Sequence, residues 1–278
     1  MKPLKKQHHY IWKEYLKPWT TQNRICCLRN GQSFQASLDK IGKKRFFYES
    51  QKLGPVEIEF LTALIRNAIP NVAASMKTIL ELYIQISNSS DEYQIKCGIE
   101  DLHMLVENYG KNCLNKLRNG NMEFLKNDRE KHQLSLFLGV QYMRTNKMRQ
   151  NLNPEELENK NLDLEKLSVI LPFIYGEIIG KWIYNVGQVS LLINETKLNF
   201  ITGDQPIFNT KATQDNSNEL TLFELYYPIS PKYAIFIDKE KEERIVLKEK
   251  EVRAYNKLME KHSLEQLYAK NENDFISV

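Results

Sequence analysis

His9, Glu107, Arg144, Asp204 and Glu224 are the residues of this 278-residue sequence from which chemistry can most readily be built. Asp204 stands in Phe200-Ile-Thr-Gly-Asp-Gln-Pro-Ile-Phe-Asn209. An apolar run through Leu198, Phe200 and Ile201 stops at Gly203, and Ile207 and Phe208 re-enter the core after Pro206. Such a strand end aims Asp204 and Gln205 at a cleft. Glu224 lies on the next apolar stretch. Two strand-borne acids can hold a divalent ion, Mg²⁺ or Mn²⁺, that activates water and offsets charge on a phosphorane. A metal-free version uses His9 as general acid or base and Arg144 to stabilise the developing anion. His8 is a further candidate contact to substrate.

Helical periodicity isolates the remaining candidates. From Asp128 to Arg149, Leu134, Phe137, Val140 and Met148 share one face, and Gln141 and Arg144 fall on it. A core-facing arginine is costly unless a carboxylate meets it. The preceding helix carries Glu100, His103 and Glu107 along the edge of its apolar stripe. The expectation is a polar pocket holding Glu107, Gln141, Arg144, Asp204 and Gln205. His103, four residues before Glu107, has spacing compatible with a metal ligand and equally with a hydrogen-bonded core histidine. A buried ion-pair network that only fixes the packing would use the same residues.

The elements that position these residues read as α+β. Gln7–Leu16 is aromatic and basic, a short helix ending near Pro18. Arg24–Leu28 and Phe34–Leu38 flank Asn30-Gly31, a hairpin signal, and Arg45–Tyr48 adds a short strand. Helices follow over Val56–Ala68, Asn71–Ile86, Asp91–Leu117, Asp128–Arg149 and Leu164–Tyr184, the last apolar nearly all round and therefore central. Asn151–Leu164 is an acidic connection, expected to be mobile. Val189–Ile193, Leu198–Ile201, Leu220–Tyr227 and Tyr233–Ile237 read as strands, and Lys248–Leu267 as the closing helix. One domain over 1–278 is expected: a β-rich segment over 1–52, a helical centre of five to six helices over 55–187, and a mostly antiparallel sheet with its helix over 188–278.

Composition narrows the class. Hydrophobic residues make up 42% and charged residues 27%, ordinary for a soluble globular chain. The net charge of +4 permits a nucleic-acid or nucleotide partner without requiring one. Four cysteines without a CxxC pair, and no apolar leader, point to a reduced, cytoplasmic chain. Leu167–Tyr175 is interrupted by Pro172 and too short to span a membrane. The absence of P-loop, GxGxxG, GxSxG, HExxH and kinase signatures sets aside the reactions that depend on them.

His9-Tyr-Ile11, Tyr15-Leu16, Phe47-Tyr48, Glu107, Gln141-Tyr-Met-Arg-Thr145, Phe200-Ile-Thr-Gly-Asp-Gln-Pro206, Tyr226-Tyr-Pro-Ile-Ser-Pro231 and Tyr255-Asn256 resemble, in order, the bacterial domain-of-unknown-function family 4238. Trp12 and Asn146 depart from its usual residues. The resemblance implies that His9, Glu107, Gln141, Arg144 and Asp204 are family positions, and suggests by association a phage-defence role. It supplies no activity.

Two functional readings follow. One is a phosphodiester-directed hydrolase, nuclease-like, serving as an anti-phage or toxin-type effector, with Asp204, Arg144, His9 and Glu107 catalytic. Here Gln141, Gln205 and His8 contact substrate and Asp204 with Glu224 holds metal. Against a PD-(D/E)XK layout stand Tyr226 in place of lysine and the lack of a proline before Asp204. The other is a non-catalytic module that binds a nucleotide or phage component in the same pocket. A protein partner or a homo-oligomer is compatible with either.

Overall fold

The computed structural model describes residues 2–152, 161–211, 223–240 and 243–277. In chain order the described residues form β1 (Gln7–His9), α1 (Lys13–Leu16), β2 (Arg24–Arg29), β3 (Gln32–Ser37), β4 (Lys43–Arg45), α2 (Pro55–Asn67), α3 (Pro70–Ser87), α4 (Glu92–Arg118), α5 (Asp128–Met143), α6 (Asn146–Gln150) and α7 (Leu164–Asn185). They continue with β5 (Gln188–Asn194), β6 (Thr202–Gly203), β7 (Phe208–Asn209), β8 (Leu225–Pro228), β9 (Tyr233–Asp238), β10 (Arg244–Leu247), α8 (Glu249–His262) and β11 (Leu267–Ala269). The fold is α+β. Its contacts divide the chain into two compact units, 1–10, 43–110 and 129–182 in the first and 11–42, 111–128 and 183–278 in the second.

The first unit is helical. Pro55 and Pro70 sit in the first turns of α2 and α3, where the missing N–H costs nothing. Glu57 closes the start of α2 by accepting from the Gly54 N–H at 2.8 Å. α5 and α7 approach backbone to backbone, because a Cβ on Gly139 would meet the Gly176 carbonyl and lie 2.8 Å from the Gly180 nitrogen. A continuous helix over 128–149 does not form. Thr145 is extended (φ −75°, ψ 162°) and its hydroxyl accepts from the Met148 N–H, so a new short helix begins there. The helix expected over Gln7–Leu16 is likewise interrupted. Its start is strand β1, paired antiparallel with β4 through His8 and Lys44, which places β4 ahead of the span expected for it. α7 is long and apolar enough to cross a membrane by length and composition, and 61% of its most apolar window is buried within the structure.

The second unit holds two sheets. One has the order β10-β5-β9-β8-β7, antiparallel except for the parallel pair β10–β5. The other, β3-β2-β11-β6, is antiparallel throughout. The hairpin signal at Asn30-Gly31 is correct: φ is 51° and 73° at the two turn residues, the left-handed values a two-residue hairpin needs. What the local signal could not supply is β2's other neighbour, β11, from the far end of the chain.

Two expectations in this unit are corrected. Leu198–Ile201 is not a strand, because its backbone partners are mostly not a ladder. Asn256 Oδ1 accepts from the Ile201 N–H at 3.1 Å, Asn256 Nδ2 donates to the Asn199 carbonyl, and the Phe200 N–H reaches the Pro231 carbonyl. The closing helix ends at His262 and not near Leu267, since the amides beyond it are taken by Asp204. Part of the acidic connection Asn151–Leu164, and residues 220–222 of the expected strand Leu220–Tyr227, lie outside the described residues.

Candidate functional site

In the first unit a buried polar cluster forms around Arg144, which is 2% exposed. All three guanidinium nitrogens donate: Nε to the Tyr48 hydroxyl at 2.9 Å, Nη1 to Glu107 Oε1 at 2.6 Å and Nη2 to the His9 carbonyl at 2.6 Å. Burial disfavours the charge, but Tyr48, Glu107 and Glu100 outweigh it, so the pKa lies above the ordinary arginine value. The acid that the apolar face demanded is therefore Glu107. His9 contributes its backbone carbonyl.

α4 supplies the rest. Glu100 lies one turn before His103, and burial raises its pKa to about 7, although Arg144 pulls the other way. Its Oε2 has no hydrogen-bond partner, and neither ring nitrogen of His103 has one. His103 is fully buried between the rings of Tyr48 and Phe173, at centroid distances of 4.2 and 4.4 Å. Burial first, then the positive charge of Arg144, hold it neutral, well below the usual histidine pKa. Gln141 is buried on α5, with its Nε2 unpartnered. His8 is committed to the fold. Its Nδ1 accepts from the Tyr48 N–H at 3.0 Å, so Nε2 carries the proton and donates to the Lys5 carbonyl at 2.9 Å. Burial lowers its pKa to about 4.

Asp204, Gln205 and Glu224 belong to the second unit, where other groups occupy them. The Asp204 carboxylate accepts from the N–H groups of Leu264 (2.7 Å), Glu265 (2.8 Å) and Gln266 (3.1 Å). It thus caps the chain between α8 and β11. Burial sets its pKa above the ordinary aspartate value despite those three bonds. Gln205 Nε2 donates to the Ile207 carbonyl at 2.6 Å. Glu224 accepts from the Thr210 hydroxyl and pairs with Lys211 at 3.6 Å. Among the described residues no group of three or more His, Cys, Asp or Glu side chains is placed to hold a metal ion.

The sequence reasoning passed over a cavity in the first unit. It has a volume of about 340 Å³ and is lined by Phe47, Glu49, Ser50, Gln51, Arg149 and Glu165, among others. The Arg149 guanidinium lies 3.7 Å over the Phe47 ring, and its buried Nη2 has no partner. Arg149 follows Arg144 by five residues, on α6, across a helix break that periodicity did not detect. Glu49 lies before α2 and Glu165 in the first turn of α7, neither in a pattern that marks a site.

These features describe an α+β protein whose helical unit carries a buried ion-pair cluster around Arg144 and an arginine-lined cavity. The family model described as a protein of unknown function, DUF4238, matches residues 7–169 and 160–273. The chain belongs to that family. No curated protein and no solved structure matches it.

Proposed function

We propose that this protein is a binding module that recognises the oxyanion of a small ligand, a nucleotide being one such class, in the Arg149 cavity. One observation carries the reading: a half-buried arginine whose buried Nη2 is unpartnered, at the wall of a cavity large enough for a small molecule. Arg144 is less suited to this role, since each of its nitrogens already donates within the protein. An arginine N–H offered to an oxyanion makes a short, charge-assisted bond, and the Phe47 ring holds the guanidinium plane in place for it. The test is thermal stabilisation by a panel of nucleotides. Stabilisation that survives Asp204→Asn and disappears in Arg149→Met supports the reading; stabilisation indifferent to Arg149→Met removes it.

A hydrolytic reading of the same unit is favoured by one observation. Glu100 has a buried, unpartnered Oε2 beside Arg144, Glu107 and His9, and burial pushes its pKa up to about 7, which matches general acid–base work at neutral pH. On this reading the protein is a phosphodiester-directed, nuclease-like effector of the bacterial cytoplasm. It is tested by incubating the protein with RNA and plasmid DNA, with and without Mg²⁺ or Mn²⁺. Cleavage abolished in a folded Glu100→Gln variant would establish it, and no cleavage under any condition would leave the binding module.

A further inference from the structure

We infer that the Arg149 cavity selects a ligand carrying an oxyanion at one end and a planar N–H donor edge at the other, and rejects polyanions. The inference rests on the binding reading above and names its ligand class. Among the described residues the lining holds one cation, Arg149, and two carboxylates, Glu49 and Glu165. Neither carboxylate is tied to Arg149 by an ion pair among those described, and the Arg149 Nη2 is unpartnered. Glu165 is near enough to stabilise the arginine's charge, but burial still holds the Arg149 pKa below its ordinary value. One unpartnered Nη2, with its two N–H groups, beside two carboxylates suits a single oxyanion better than a triphosphate or a polynucleotide. Each further phosphate would meet a like charge, which disfavours binding.

The carboxylates instead ask for donors. A carboxylate accepts two parallel N–H bonds from an amidine-like edge, and Ser50 and Gln51 on the same wall add neutral partners. Two sources present that chemistry together with a single oxyanion. A guanine nucleoside monophosphate offers its N1–H and 2-amino edge and one phosphate. Free arginine offers a guanidinium and one carboxylate. The cavity volume of about 340 Å³ falls near the low end for small-molecule sites, which suits one nucleotide and not an oligomer.

The experiment is isothermal titration of the full chain with GMP, IMP, AMP, GTP, inorganic phosphate and L-arginine, repeated on Arg149→Met, Glu49→Gln and Glu165→Gln. Melting curves first establish that each variant is folded, with Arg149→Lys as a second arginine variant should Arg149→Met not fold. We expect GMP or L-arginine to bind, and the stronger of the two identifies the source. If GMP, IMP, which lacks the 2-amino group, and GTP should each be weaker by about tenfold or more. Loss of either carboxylate should weaken the favoured ligand and narrow its margin over GTP. GTP or inorganic phosphate binding at least as tightly as GMP and L-arginine, or both carboxylate variants binding like the wild type, would overturn the inference while leaving an anion site. Binding unaffected by either arginine variant would overturn the anion site too, as would no binding by any probe at millimolar concentration.

Discussion

Arg144 donates Nη1 to Glu107 Oε1 at 2.6 Å, with side-chain exposures of 1% and 12%. Two charges have thus left water together, and the attraction between them has to offset two desolvation costs. Removing one partner strands the other. Arg144→Met should therefore destabilise the protein by about 3–5 kcal/mol, and Glu107→Leu by a similar amount. The double variant should be less damaged than the sum of the two, because neither charge is left alone. Urea unfolding of the four proteins measures the cycle; additive losses would show that the pair is not coupled.

Asp204 caps three successive amides and makes its own prediction. Asp204→Ala leaves the N–H groups of Leu264, Glu265 and Gln266 without their acceptor. The loss should be about 3 kcal/mol or more, with amide exchange accelerated in residues 263–269. Asp204→Asn keeps one carbonyl acceptor and should cost less. Neither variant should alter ligand stabilisation through Arg149 in molecules that remain folded. A ligand response lost in Asp204→Asn at normal stability would return Asp204 to the functional site.

The contrast between Arg144 and Asp204 shows what could be read in the sequence. Arg144 was legible because a cation on an apolar helix face needs an acid, and the adjacent helix α4 offered Glu107. Helices α2, α3, α4 and α7 were legible because period and end signals agree along one contiguous stretch. Asp204 looked like a residue aimed at a cleft, because the sequence near it shows a strand end and not the amides of residues 264–266 that return to it. The pairing of β2 with β11 is hidden in the same way. Arg149 lies past the break at Thr145, and the cavity it lines gathers residues from three separate stretches, none with a period of its own.

The close approach of α5 to α7 depends on Gly139, Gly176 and Gly180. A methyl group at Gly139 would run into the Gly176 carbonyl and the Gly180 nitrogen, which are backbone atoms and cannot rotate away. Gly139→Ala should cost about 3 kcal/mol or more by forcing the helices apart, although the same change in an exposed helix would stabilise by about 1 kcal/mol. Thermal melting distinguishes the two signs. A variant as stable as the wild type would mean that the helices can separate without loss.

Glu100 gives the protein a pH dependence whose sign is unusual for a carboxylate. Burial raises its pKa from 4.5 to about 7, so the folded protein holds this proton more tightly than the unfolded chain does. Stability from this group is fully present below pH 4.5 and is lost as pH rises towards 7, by roughly 3 kcal/mol across that window. The buried histidines act in the opposite direction. His8 is lowered to about 4 and His103 well below 6.5, so unfolding takes up protons as pH falls below 6.5 and stability is lost on the acid side. The two effects overlap, and wild-type stability alone cannot separate them. The difference between Glu100→Gln and wild type can, since the histidines are common to both. That difference should move in favour of Glu100→Gln by roughly 3 kcal/mol between pH 4.5 and 7 and then level off. Urea unfolding at half-unit pH steps reads it directly, and a difference that stays constant with pH would show that Glu100 ionises as freely in the folded protein as in the unfolded chain.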